Sequence, residues 1–265
     1  METTKIDLNK ESLSVQIIYP SFMGEVNTFG IGAPCTFVRF YGCNLRCYSH
    51  KGMECDTPEA LTFKPSNMSI RNVIRKVEEL GNKIICLTGG EPLAQEPNAL
   101  YSLLSTLCEE GYSVVIETNG TKDISPIKSW QQQFPWMRDV SFVIDYKSPS
   151  TGVSDFFFKM SNVPLMGEND YLKFVVADEV DLAEFIKVRQ KFVSDYGLTN
   201  VNFAVGLFWG ASKISYKFLL SKLQALPKYG GKGVYVNMQT HKMVCMYDEF
   251  KGSEQFLNTF IPKDL

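Results

Sequence analysis

Three cysteines, Cys43, Cys47 and Cys55, follow an apolar stretch, Thr36-Phe37-Val38-Arg39-Phe40, and a Tyr41-Gly42 pair. Three thiolates from one loop are one short of the four that close a structural zinc site or a plain ferredoxin cluster. A metal centre held this way keeps an open position for a further molecule. Zinc is the competing occupant, with His50 as fourth ligand, because Cys and His are its preferred donors. Downstream, Gly89-Gly90-Glu91-Pro92 comes directly after an apolar run, Lys83 to Thr88. A glycine pair at the carboxyl end of a parallel strand lets backbone approach a ligand closely. Two cations stand out beside these motifs. Arg39, four residues before the first cysteine, suits either solvent or a pocket, and Lys173 lies within an otherwise apolar run, Tyr171 to Val176.

The elements that must position these residues alternate along the chain. Leu13 to Tyr19 reads as a strand closed by Pro20, and Phe22 to Pro34 as a Gly-rich loop. Cys35 to Phe40 is apolar on both faces, as in a parallel sheet buried on both sides. Ser69 suits the N-cap of a helix over Ile70 to Leu80 that Gly81 ends. Further strands are expected at 83–88, 112–117, 140–144, 171–176, 201–205 and 234–239, with helices at 100–110, 182–192 and 214–226. Such alternation implies parallel strands with right-handed crossovers. Polar groups at a strand's carboxyl end, such as Glu117-Thr118-Asn119-Gly120-Thr121, lie where a barrel places its site. Trp130, Phe134 and Trp136 are expected to pack, as are Cys35, Cys86, Cys108 and Cys245.

With 265 residues, 45% of them hydrophobic, the chain suffices for one large α/β core, and residues 1–265 read as a single domain. A formal charge of −2 argues against a nucleic-acid partner and for a small substrate. No apolar run approaches the roughly twenty residues of a membrane span, and Met1 to Asp7 lacks the apolar core of a signal peptide. Together with an odd number of cysteines, seven, this points to a reducing cytoplasm.

With Asn44-Leu45-Arg46 between the first two cysteines, the loop resembles the cluster loop of the radical S-adenosylmethionine (SAM) enzymes. In that superfamily three cysteines hold a 4Fe-4S cluster whose fourth iron takes the amino and carboxylate groups of SAM, and a Gly-Gly-Glu-Pro stretch contacts the SAM amino group. Here seven residues, Tyr48 to Glu54, separate Cys47 from Cys55, five more than is usual. Within the superfamily the chain resembles the 7-carboxy-7-deazaguanine synthase family over most of its length. The resemblance rests on the Gly24-Glu25 loop, Arg39, Cys55-Asp56-Thr57, residues 117–121, Asp145-Tyr146-Lys147-Ser148-Pro149-Ser150-Thr151-Gly152 and Gln239-Thr240-His241-Lys242. The glycyl-radical-enzyme activases share the cluster loop without these pocket segments. They are the first alternative, and a non-catalytic zinc or electron-transfer protein is the second.

The resemblance implies an incomplete TIM-like barrel of about six parallel strands and a homodimer. The expected activity is conversion of 6-carboxy-5,6,7,8-tetrahydropterin to 7-carboxy-7-deazaguanine with loss of ammonia, a step of queuosine and deazaguanine biosynthesis. It requires Mg2+ and an external one-electron donor of flavodoxin or ferredoxin type. Cys43, Cys47 and Cys55 are then the cluster ligands and Thr57 the magnesium ligand, with Asp56 behind it. Gly90, Glu91, Thr118, Asp145, Tyr146, Lys147 and Lys173 fall to SAM. Phe22, Met23, Gly24, Glu25, Arg39, Thr88, Gln239 and His241 fall to the pterin, Met23 standing where the family usually has glutamine.

Overall fold

Apolar runs of six to eight residues, joined mostly by helices, build one sheet in the computed structural model of the chain. It describes residues 7–48, 55, 57–153, 158–197, 201–208, 212–227 and 233–240. The strands are β1 (Ser12–Leu13), β2 (Val15–Phe22), β3 (Pro34–Phe40), β4 (Met68–Ser69), β5 (Ile84–Gly89), β6 (Ser113–Thr118), β7 (Val140–Tyr146), β8 (Tyr171–Val176), β9 (Asn202–Leu207) and β10 (Val234–Val236). The helices are α1 (Ile70–Leu80), α2 (Pro97–Glu109), α3 (Ser125–Gln133), α4 (Glu179–Tyr196) and α5 (Tyr216–Gln224).

Strand order in the large sheet is β10-β9-β8-β7-β6-β5-β3-β2, and β1 pairs with β4 apart from it. From β3 to β9 six strands run parallel, the short β10 continues them, and β2 pairs antiparallel with β3. Among the described residues the edge strands β10 and β2 do not pair, so the barrel is incomplete, as expected. Pro20 does not end its strand: it sits within β2, opposite Thr36. An edge strand tolerates a residue without an N–H, because one side of it has no ladder to complete. The last strand is shorter than its sequence, three residues in place of six, and α3 was not anticipated.

Helix α1 shows how local signals fix an element. The Ser69 Oγ accepts from the Asn72 N–H at 3.4 Å, and Gly81 takes φ 74° at the other end. Ile70, Val73, Ile74 and Val77 are buried between the helix and the sheet. At about 25 cal/mol per Å2 of apolar area, such a stripe, rather than helix propensity, supplies most of the holding energy.

Period two along the strands separates two apolar layers. Outside the sheet, beneath the helices, lie Val38, Phe40, Ile85, Leu87, Val114, Ile116, Phe142 and Ile144. Inside lie Tyr19, Met23, Cys35, Phe37, Cys86, Val115 and Val143. Burial pushes the Cys35 thiol up to about 12 and the Cys86 thiol well above its ordinary value, and Glu117 adds to both shifts. These thiols stay protonated and serve as packing, as expected.

Candidate active site

The inner apolar layer ends one step short of the strands' carboxyl ends, and the next inward positions are polar. Register sets Arg39 beside Thr88 and Asp145 beside Lys173. Thr88 Oγ1 donates to Glu117 Oε2 at 3.0 Å, bridging β5 and β6. Arg39 donates to the Thr57 hydroxyl at 2.7 Å and to the Tyr19 hydroxyl at 3.4 Å. From the loop after β2, Glu25 reaches across the mouth, where its Oε2 lies 2.8 Å from Lys173 Nζ. Gln239 Nε2 donates to the other Glu25 oxygen, and Thr240 donates its backbone N–H to Gly24 O at 2.9 Å. The residues just after β10, Gln239 and Thr240, therefore close one side of the mouth through Glu25 and Gly24.

Charges alternate around this ring. Asp145 Oδ2 lies 2.8 Å from Lys147 Nζ and 3.5 Å from Lys173 Nζ, while its buried Oδ1 has no hydrogen-bond partner among the described residues. Burial works against the Lys173 charge, and Glu25, Asp145 and Glu117 outweigh it, so the net shift of its pKa is upward. Lys147 is likewise raised: burial opposes its charge, and Asp145 and then Cys47 favour it. Glu117 has its pKa raised by burial and by Glu25, with Lys173 and Thr88 working the other way. Sequence reasoning placed Glu117 in a motif without giving it a role. Its position two residues after the inward Val115 was the available signal, had the facing of β6 been known.

Next to this ring, the turn after β5 is docked on the cysteine loop by backbone hydrogen bonds and by Gln95 Nε2, which donates to Tyr41 O at 3.0 Å. Gly90 N–H donates to Phe40 O at 2.9 Å, Glu91 N–H to Gly42 O at 2.8 Å, and Gly42 N–H to Ala60 O at 2.8 Å. Glu91 has no exposed surface. Its carboxylate accepts from Thr118 Oγ1 at 2.6 Å, from Leu93 N–H at 3.0 Å and from Asn119 N–H at 2.7 Å. Burial raises its pKa and these donors lower it, the net being upward. Both Glu91 and Thr118, expected at SAM, are thus turned toward each other, and Gly90 offers backbone.

Three other expected residues lie elsewhere. Tyr146 packs on the helix side of the sheet, its ring 4.9 Å from those of Phe158 and Phe174. Met23, with no exposed surface, belongs to the inner apolar layer beneath the polar ring. Phe22 pairs with Pro34 while its neighbour Ser21 pairs with Cys35, so alternation sends Phe22 to the face away from Cys35 and Tyr19. His241, with His50, Asp56 and Cys245, lies outside the described residues.

Cys43 is buried, and Cys47 and Cys55 are partly exposed. No group of three metal-binding side chains converges among the described residues, and the connection from 49 to 54 is outside them. The donor chemistry nonetheless fits an iron–sulfur cluster. The Cys43 sulfur accepts from two N–H groups, Leu45 N at 3.5 Å and Asn119 Nδ2 at 3.7 Å, which suits a charge-bearing ligand.

Residues 28–150 match the family described as a 4Fe-4S single cluster domain. A 7-carboxy-7-deazaguanine synthase from Koribacter versatilis is 33% identical over 190 residues, covering 71% of this chain and 74% of that protein. The synthase of Leptospira interrogans is 32% identical over 251 residues, 87% of this chain and 94% of its own length. That of Aquifex aeolicus is 37% identical over 121 residues, 46% of this chain and 51% of that protein. With a relative matched over nearly its whole length, the chain belongs to the 7-carboxy-7-deazaguanine synthase family of radical SAM enzymes.

Proposed function

We propose that the chain converts 6-carboxy-5,6,7,8-tetrahydropterin to 7-carboxy-7-deazaguanine, with loss of ammonia. The observation that carries this reading is the ring inside the barrel mouth, where Arg39 stands on one side and the Glu25–Lys173–Asp145 chain on the other. An inward-facing ring of this kind suits a small, doubly functional molecule: a planar guanidinium for its carboxylate and carboxylates for a guanidine-like edge. A glycyl-radical activase needs a groove wide enough for a protein segment, and a zinc or electron-transfer protein has no use for such a ring.

Cys43, Cys47 and Cys55 would hold the cluster, with Gly90, Asp145, Lys147 and the Glu91–Thr118 corner around SAM. When bound, the cluster would supply the electron for reductive cleavage of SAM. The chain's own groups bind, orient and exclude water. Arg39 holds the substrate carboxylate, and Thr57, whose hydroxyl accepts from Arg39, would offer Mg2+ a hard oxygen ligand beside it. Glu25, fixed by Lys173 and Gln239, and Glu117, fixed by Thr88, take the amino-pyrimidine edge. Lys147 neutralises Asp145 beside the SAM site. The homodimer, the flavodoxin- or ferredoxin-type donor and the cytoplasmic setting belong to the same reading.

Product analysis after anaerobic reconstitution, with SAM, magnesium, a strong reductant and the carboxypterin, tests it. Formation of 7-carboxy-7-deazaguanine with 5′-deoxyadenosine is expected, and both should vanish in Cys55→Ala. Appearance of 5′-deoxyadenosine alone would remove the substrate assignment and leave the cluster chemistry standing. A finer test concerns Arg39→Lys, which keeps the charge and loses the two-pronged donor. The KM for the pterin should rise about ten- to a hundredfold with SAM affinity unchanged. An unchanged KM would place the carboxylate elsewhere.

A further inference from the structure

The carboxyl end of β6 meets the cysteine loop through Thr121 and, more deeply, through Asn119, which is 8% exposed. Its amide orientation is not arbitrary. Thr121 N–H, which can only donate, points at the Asn119 Oδ1 at 3.1 Å, and Thr121 Oγ1 donates to the same oxygen at 2.7 Å. Nδ2 therefore faces the other way, toward Asn44 Oδ1 at 3.0 Å and Cys43 Sγ at 3.7 Å. Asn44 closes the circuit by donating its own Nδ2 to Thr121 Oγ1 at 2.8 Å. The Asn119 amide thus spends one hydrogen on Asn44 Oδ1 and has the other left for sulfur. The Asn119 backbone is held in turn by Glu91 Oε2 at 2.7 Å.

We propose that Asn119 tunes the reduction potential of the cluster by hydrogen bonding to the Cys43 sulfur, and that the Asn119–Thr121–Asn44 ring fixes the amide in the donating orientation. Reduction adds negative charge that spreads onto the ligand sulfurs, and an N–H donor aimed at one of them stabilises the reduced state more than the oxidised one. Leu45 N–H acts on the same sulfur but belongs to the backbone of the loop, so Asn119 is the side-chain component of the effect. Because Glu91 holds Asn119 from behind, the Gly-Gly-Glu-Pro turn bears on the electronics of the cluster as well as on SAM. This inference rests on the reading of Cys43 as a cluster ligand and is independent of the substrate.

A redox titration of the reconstituted full-length protein without SAM, followed by electron paramagnetic resonance, tests it. In Asn119→Leu the ratio of reduced to oxidised cluster, measured at the wild-type midpoint, should fall about fivefold. Thr121→Val, at a partly exposed position, leaves only the backbone N–H to orient the amide. It should shift the ratio the same way by about twofold. A purely structural role for Asn119 would change iron content or stability and leave the midpoint where it was. Wild-type midpoints in both loaded variants overturn the proposal, and if Asn119→Leu does not take up cluster, Thr121→Val alone decides. Cys43→Ser serves as the separate arm. If it keeps full iron content and the wild-type signal, Cys43 is not a ligand and the proposal falls at that premise rather than at the hydrogen bond.

Discussion

Replacing Gly90 by alanine is expected to strip the protein of most of its cluster and to lower its stability by about 3 kcal/mol, the upper part of the range for overpacking. A Cβ at this position would stand 2.1 Å from Gly42 O, 2.4 Å from Gly42 C and 2.9 Å from Ala60 O. All three are backbone atoms, so no side chain can swing aside to make room. Relief requires the turn after β5 to part from the cysteine loop, which breaks the Glu91 N–H bond to Gly42 O and loosens the Gly42 N–H bond to Ala60 O. The residue next to Gly42 is Cys43, so the displacement is delivered directly to a cysteine of the cluster loop. Iron and sulfide content after reconstitution, together with urea unfolding, measures the effect. Gly81→Ala is the comparison: its φ of 74° is strained for alanine, yet nothing lies within 4 Å of the added carbon. That variant should lose about 1–2 kcal/mol, the cost of the left-handed conformation, and load cluster normally. Equal cluster content in Gly90→Ala and Gly81→Ala would show that the close backbone approach is dispensable.

The contrast between these glycines bears on what a sequence can reveal. Gly81 was legible as a helix stop, because a left-handed cap is a local event. Gly90 was legible only through the motif around it, since the atoms it must avoid belong to residues 42 and 60. The same division runs through the fold. Strands buried on both faces declare themselves as apolar runs, but such runs do not say which face is inward. In β6, Val115 and Ile116 are equally apolar, and so nothing marked Glu117 as an inward carboxylate. Asp145 and Tyr146 stand together in the motif Asp-Tyr-Lys-Ser, and both were assigned to SAM. Period two sends them to opposite faces, Asp145 beside Lys173 and Tyr146 against Phe174. Pro20 inside β2 and the weakly patterned α3, where only Ile127 is buried, were hidden for a related reason. Their positions are set by what lies or does not lie beside them.

Lys173→Met should cost the protein both its activity and several kcal/mol of stability, with a pH dependence that identifies the cause. Methionine keeps the length of the side chain and removes its charge. Lys173 Nζ is 2.8 Å from Glu25 Oε2 and 3.5 Å from Asp145 Oδ2, in a site where its side chain is only 10% exposed. Removing one partner of a buried pair leaves the other uncompensated, at a cost of about 3–5 kcal/mol. Product formation should fall at least about a hundredfold, because the same change unfixes Glu25 at the substrate and Asp145 at the SAM side. In the wild type, burial and Glu25 already raise the Glu117 pKa, and Lys173 opposes them. Without the lysine, which opposes that shift, Glu117 holds its proton to higher pH. A carboxyl whose folded pKa exceeds its unfolded value of about 4.3 binds more protons when folded, so stability falls as pH rises past that value. The deficit of the variant relative to wild type should therefore be largest near pH 8 and shrink toward about pH 5, where protonation removes the uncompensated charge. Urea unfolding across that range reads the difference directly. A deficit that stays constant with pH would mean that Lys173 matters through packing, and the charge-balanced ring would then have to be abandoned as the organising feature of the site.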